Sequence, residues 1–326
     1  MRRNSSCIRT TLIAVGLCAL SARVGLAQDA FPSRPVQIII PGPAGGSVDI
    51  ATRLIEARMS AALNTPLAPI NRPGASGILG LSAVASSQPN GYTLGASVNS
   101  IFTVVHISGS TVPFTLDNFD IIGQYAADTS VLCVSTEAPW QTFDEMVDYA
   151  RKNPGKLSYG SSGIGTVSSL SMESIKHAFN LDITAVPFPG GGQLALALLG
   201  KHVDLGMVPH SAGAAMLRDK KLRPLMVTSP KRLPSLPVVP SIGESGLSAK
   251  GFDLVLGLVA PKGLPERTAG ILVNALAETM KDQQVVSKLE NVGLFARYED
   301  PATARDRLLR EYQDVIEVDR MLKQAK

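Results

Sequence analysis

The residues best placed to do chemistry are two glycine-rich turns. The first lies in Ile38 to Asp49, I-I-I-P-G-P-A-G-G-S-V-D, and the second is Gly160-Ser161-Ser162-Gly163-Ile164-Gly165-Thr166. Each follows a short apolar strand signal and precedes an apolar helical stripe. In the first helix the stripe is Ala51, Leu54, Ile55, Met59, Ala62 and Leu63; in the second it is Leu170, Ile175 and Phe179. Backbone N–H groups and the positive end of a helix dipole converge at such a turn, which suits an anion such as a carboxylate. Two of them facing one cleft can grip a carboxylate without an arginine. The first turn fits neither the dinucleotide pattern G-x-G-x-x-G nor a phosphate loop ending in G-K-[ST]. On these residues alone, an anion cradle and a plain tight turn both stay open.

Other chemistries find no support. A G-x-S-x-G nucleophile turn around Ser162 needs glycine at 164, where Ile164 stands, and no histidine or acid is placed as a partner. His106, His177, His202 and His210 show no metal-ligand spacing with one another or with a cysteine. There is no cofactor fingerprint. Trp140 follows Pro139 at a turn and reads as packing.

The elements that must hold the two turns alternate strand and helix. Leu67–Ile70, the turn-rich Asn71–Gly77, a helix over Ile78–Ser86, the Pro89-Asn90-Gly91 turn and the strand Tyr92–Ala96 predict a parallel sheet with helices on its faces. Ligands in such sheets sit beyond the carboxyl ends of the strands. That marks Pro41–Gly46, Asn71–Gly77 and Ser97–Ser100. A Thr142 cap with Glu145 three residues on starts a helix in the second half. Ile121–Val134 and the proline-rich run after Leu222 read as extended crossings. Arg267–Met280 and Pro301–Lys323 read as amphipathic helices.

Arg2, Arg3 and Arg9, the apolar Thr11–Leu20 and the small residues of Gly25-Leu26-Ala27 predict a secretory leader cut after Ala27. The leader holds Arg2, Arg3, Arg9 and Arg23, so its removal takes the 31 basic residues to 27, against 27 acidic ones. A formally neutral mature chain has no basic footprint for nucleic acid. Cys7 and Cys18 leave with the leader. Cys133 is then alone and no intramolecular disulfide can form.

P-G-P-A-G-G-S-V-D at Pro41–Asp49, N-R-P-G-A-S-G at Asn71–Gly77 and P-N-G-Y-T-L at Pro89–Leu94 resemble the extracytoplasmic solute receptors of the tripartite tricarboxylate transporters, the Bug receptors. The resemblance runs on to the C-terminus. It implies an α/β, two-lobed periplasmic binding protein of the type II, Venus-flytrap kind, closing over a small carboxylated solute. One lobe would comprise residues 28–123 and 251–326, the other residues 124–250. It also implies a partner permease of two integral membrane subunits, and the chain itself is expected to be a monomer without cofactor or metal.

Set beside that family, the chain departs at several places. Ser169 stands where a histidine is usual, Phe188 and Pro189 where a tyrosine and a lysine are, and Val208 where an aspartate is common. Residues 101–110 lack the usual Asn-Pro pair and tyrosine. The ligand site is expected at Ala44, Gly45, Gly46, Ser97, Asn99, Ser161, Gly163, Gly165, Thr166, Pro189, Gly190 and Val208. With Val208 and Pro189 in place of an acid and a lysine, the expected ligand is a carboxylate without an ammonium group, such as a dicarboxylic, hydroxy or aromatic acid. A sensing module reporting to a membrane partner would share this fold and pocket. A periplasmic enzyme is the remaining alternative, and it lacks a reactive constellation.

Overall fold

The computed structural model describes residues 31–103, 111–245 and 249–324. The expected leader with Cys7 and Cys18, and His106 with most of the 101–110 loop, lie outside the described residues.

The chain opens with β1 (Val36–Ile40), whose Val36, Ile38, Ile39 and Ile40 are all buried, as a strand covered on both faces requires. Helix α1 (Ser47–Leu63) buries Ala51, Ile55, Met59 and Leu63 and stops at Asn64, whose left-handed backbone returns N–H bonds to the last turn. Then come β2 (Leu67–Asn71), α2 (Ile78–Ala85), β3 (Thr93–Val98), the single turn α3 (Asn99–Phe102) and β4 (Phe119–Asp128). The second unit holds β5 (Ser130–Ser135), α4 (Phe143–Lys152), β6 (Leu157–Ser161), α5 (Val167–Phe179), β7 (Ile183–Pro187), α6 (Gly191–Leu199), β8 (Leu205–Pro209), α7 (His210–Arg218) and β9 (Leu222–Val227). The chain returns through β10 (Leu254–Pro261), α8 (Glu266–Lys281), α9 (Gln283–Asn291), β11 (Phe295–Glu299) and α10 (Pro301–Gln324).

Two sheets result, in the orders β11-β4-β10-β3-β1-β2 and β7-β6-β8-β5-β9. The expected parallel pairing holds within β2-β1-β3 and β7-β6-β8. The strands that carry the chain between lobes run the other way: β10 is antiparallel to β3 and β4, and β5 to β8 and β9. A strand entering from the other lobe has its direction set by the crossing, whereas a helical return between neighbours enforces parallel pairing. β4 stays paired with β10 as far as Asp128, five residues past the boundary expected at Gly123, and the chain changes sheets at Thr129.

The two passes between lobes touch: Leu254, at the start of β10, pairs with Asp128, and the Thr129 side chain bonds that of Asp253. Thr228, just past β9, extends the β5–β9 ladder, donating from its N–H and its hydroxyl to the Ser130 carbonyl at 2.9 and 3.1 Å. A methyl on Gly251 would lie 1.9 Å from the Thr228 carbonyl oxygen, so the position admits only glycine. The second pass is tied to α5, with the N–H groups of Lys250 and Phe252 bonded to the hydroxyls of Ser174 and Ser171. Helix α10 bridges the lobes. Its Val315 and Val318 pack with Val167 and Leu170 of α5 and with Phe252. Cys133, in the middle of β5, is fully buried, and burial drives its thiol far above the ordinary range.

Beside this crossing lies a buried polar cluster. Arg307 donates to Glu299, Gln124 and Glu311, while Asn99 and Thr103 donate to Glu311. Burial lifts the Glu311 carboxyl to about 7; Arg307, Asn99 and Thr103 oppose the shift and Asp253 adds to it. Because the folded value lies above the ordinary 4.5, the protonated form is favoured by the fold. The stabilisation is complete below about 4.5 and is lost as the pH rises through 7, up to about 3 kcal/mol from this group. Urea unfolding between pH 4.5 and 7.5 is expected to show stability falling with pH, and Glu311→Gln to flatten that slope. An unchanged slope in the variant rules Glu311 out as its source.

Candidate functional site: a cleft between the lobes

Where the carboxyl ends of both sheets face each other, the lobes enclose a cavity of about 450 Å³. The first lobe lines it with Pro41, Gly42, Pro43 and Val48, with Pro73, Gly74 and Gly77, and with Val98, Ser100 and Ile101. The second lobe supplies Ser162 to Thr166, Phe188 and Pro189, and Leu254 comes from the start of β10. Among the described residues, no charged side chain lines it. A second cavity of about 400 Å³ lies on the other side of the first glycine-rich turn. There Gly45, Gly46 and Ser47 face Gly191, Gly192, Ser211 and Arg218, with Asn291 and Leu294 beside them.

The two turns are built differently. Gly45 has φ +78°, and a side chain there would meet open space, so only the backbone conformation demands glycine. The carboxylate of Asp49, in the first turn of α1 and nearly buried, accepts from Gly45 N–H at 2.9 Å, Arg53 Nε at 2.8 Å and Asn71 Nδ2 at 3.0 Å. Burial opposes its charge, but the bonds from Gly45, Asn71 and Arg53 together outweigh burial and hold the carboxyl below its usual range. The first turn thus already carries an anion of its own. In the second turn Gly163 has φ +132° and Gly165 φ +69°. Thr166 caps α5: its Oγ1 accepts from Ser169 N–H at 3.4 Å and donates to the Gly163 carbonyl at 2.8 Å. The first turn of α5 has no acidic residue.

The lobes also meet directly. Ser47 Oγ lies 3.2 Å from Ser211 Oγ, and Ser211 donates from its N–H and hydroxyl to Asp128 at the end of β4. Burial pushes the Asp128 carboxyl up, against the pull of Ser211, His210 and Ser47. His210 Nδ1 donates to the Gly293 carbonyl at 2.7 Å, which leaves Nε2 to accept from Ser235 Oγ at 3.2 Å.

The family model described as tripartite tricarboxylate transporter family receptor matches residues 51–317. The chain belongs to this receptor family. A UPF0065 protein of Bordetella pertussis is 32% identical over 286 residues, 88% of this chain and 87% of that protein. Among solved structures, Rpa4515 of R. palustris, determined with adipate, is 27% identical with a TM-score of 0.82, covering 90% of this chain and 98% of that one. MatC of Rhodopseudomonas palustris, with bound malate, is 26% identical with a TM-score of 0.79, covering 89% and 100%. This family is one of solute-binding receptors.

In this receptor the expected site residues divide. Gly163, Gly165, Thr166 and Pro189 line the larger cavity, and Gly45 and Gly46 the smaller. Ala44 is exposed at the tip of the first turn and Gly190 caps α6; neither lines a cavity wall, though their neighbours do. Four residues are placed otherwise than expected. Asn99 is committed to structure, donating to Asp253 O and Glu311 and accepting from Val255 N–H. Ser97 is buried in β3 opposite Gly257. The Ser161 hydroxyl is turned back to Gly163 O. Val208 does not face the cleft: it is 1% exposed and packs with Val131, Cys133, Leu194 and Val227, because its place in β8 points it into the apolar interior of the second lobe. Pro41, Pro43, residues 73–77 and Ser100 were legible as strand ends, while Val48 and Leu254 carry no local ligand signal.

Removing the cap on α5 tests the second turn. Thr166→Val is expected to cost about 1 kcal/mol of stability, read as a lower urea midpoint at constant slope. A midpoint equal to that of the parent protein counts against the cap.

Proposed function

We propose that the protein is a periplasmic receptor that captures a small carboxylate between its lobes and delivers it to a tripartite tricarboxylate-type permease of integral membrane subunits. In this reading the leader directs export and is cut after Ala27, the mature chain acts as a monomer, and the lobes close about the crossings at Thr129 and at Gly251 to Asp253. The observation that carries the proposal is the interlobe cavity at the N-terminus of α5, lined by Gly163, Gly165 and Thr166 and, among the described residues, free of charged side chains. The adipate and malate bound to Rpa4515 and MatC support a carboxylate as the ligand class. Among the described residues no helix is long and apolar enough to cross a membrane, and no group of three or more histidine, cysteine or acidic residues could hold a metal ion.

It is the cavity wall, not Val208, that disfavours an ammonium group. Among the described residues no acidic side chain lines the cavity, so an ammonium brought in loses its water without gaining a partner. Calorimetry with hexanoate beside norleucine, and succinate beside aspartate, is expected to favour the deaminated member of each pair by at least tenfold, about 1.4 kcal/mol. Tighter binding of the amino acids overturns this assignment. Mass spectrometry of the small molecule that co-purifies with exported protein is the direct test; release of a non-acidic compound argues against the carboxylate reading itself.

A further inference from the structure

The two helix starts that face the cleft are electrostatically unequal. At α1 the Gly45 N–H and the positive end of the dipole are already answered by the buried carboxylate of Asp49. At α5 the first turn carries no acid, and Ser162 to Thr166 line the cavity, the Thr166 hydroxyl proton being committed to the Gly163 carbonyl and Ser162 Oγ lying 2.8 Å from Ser168 Oγ, so the pole offered there is that of the backbone. A ligand carboxylate therefore finds its favourable pole on one side only. Across from it the first-lobe wall is mostly apolar, with Pro41, Pro43, Val48, Val98 and Ile101, and among its described lining residues Ser100 is the one side-chain donor. Phe188 and Pro189 extend the apolar surface on the second lobe. Ile164 adds to it as a large apolar side chain that lines the cavity yet is 77% exposed. An aliphatic side chain left in water at a cleft wall gains by burial against an apolar ligand.

We propose that this cleft selects a monocarboxylate with an apolar aliphatic or aryl body, its carboxylate at the Ser162–Thr166 end of α5 and its body between Ile164 and the Pro41–Pro43–Val48 wall. The inference rests on the carboxylate-receptor reading and narrows it. A second carboxylate on the same ligand would be stripped of water against prolines and valine, with only the Ser100 hydroxyl among the described lining residues of that lobe to answer it, while Asp49, paired with Arg53 at 2.8 Å, already occupies the positive pole of α1.

The test is calorimetry of the mature full chain with hexanoate, adipate and hexanamide, matched in length and differing in charge. Hexanoate is expected to bind at least tenfold more tightly than either of the others. Adipate binding as tightly as hexanoate, or more so, overturns the monocarboxylate inference and leaves the carboxylate reading standing. Hexanamide equal to hexanoate, or no binding by any of the three, overturns both. Two variants probe the cause. Ile164→Ser, at an exposed position that the fold does not depend on, is expected to weaken hexanoate several-fold; unchanged affinity contradicts the placement of the ligand body. Asp49→Asn is expected to narrow the hexanoate-to-adipate ratio several-fold, and an unchanged ratio contradicts the electrostatic argument. The ligand comparison on the parent protein stands even if this second variant folds poorly.

Discussion

Everything in this molecule depends on two passes of chain lying against each other between the lobes. The outgoing pass leaves at Thr129 and the return pass enters at Gly251 to Leu254: Leu254 pairs with Asp128, the Thr129 side chain bonds Asp253, and Gly251 closes onto Thr228, at the end of β9, with no room for a side chain. The α5 side of this joint is further fixed by Ser171, Ser174 and the Val315–Val318 face of α10. Helix α5, whose N-terminus lies at the cavity, is thereby tied both to the return pass and to α10.

The fold was legible where a periodic pattern and a turn signal agreed. β1, α1, the second glycine-rich turn and α5 appear where the sequence places them, and the family motifs implied two lobes. The antiparallel strands were not legible, because a crossing strand has the same apolar composition as a parallel one and only its partner fixes its direction. The extent of β4 was missed for the same reason: nothing in Gln124 to Asp128 distinguishes the end of a paired strand from a linker.

The site was legible in its backbone and not in its side chains. Gly163, Gly165 and Thr166 announce a helix start, and a helix start at a strand end faces the cleft. Asn99 and Ser97 sit at another strand end, and residue type suggested a ligand contact. Their surroundings decided otherwise, since Asn99 answers Glu311 and two backbone groups across 150 or more residues of sequence. Val208 illustrates the limit of transferring a position by spacing. Strand residues alternate between faces, so an offset of one residue exchanges a cleft residue for a core residue.

The burial of Cys133 has a practical side. Enclosed by β5 and its neighbours, with a thiol driven far above the ordinary range, it stays inert toward maleimides while the protein is folded. In the proposed mature chain, which lacks the leader cysteines, a cysteine introduced on the surface becomes the sole addressable thiol. A fluorophore placed near the rim of the cleft would then report occupancy optically, and the receptor could serve as a reagentless probe for its own solute without first deleting a native cysteine.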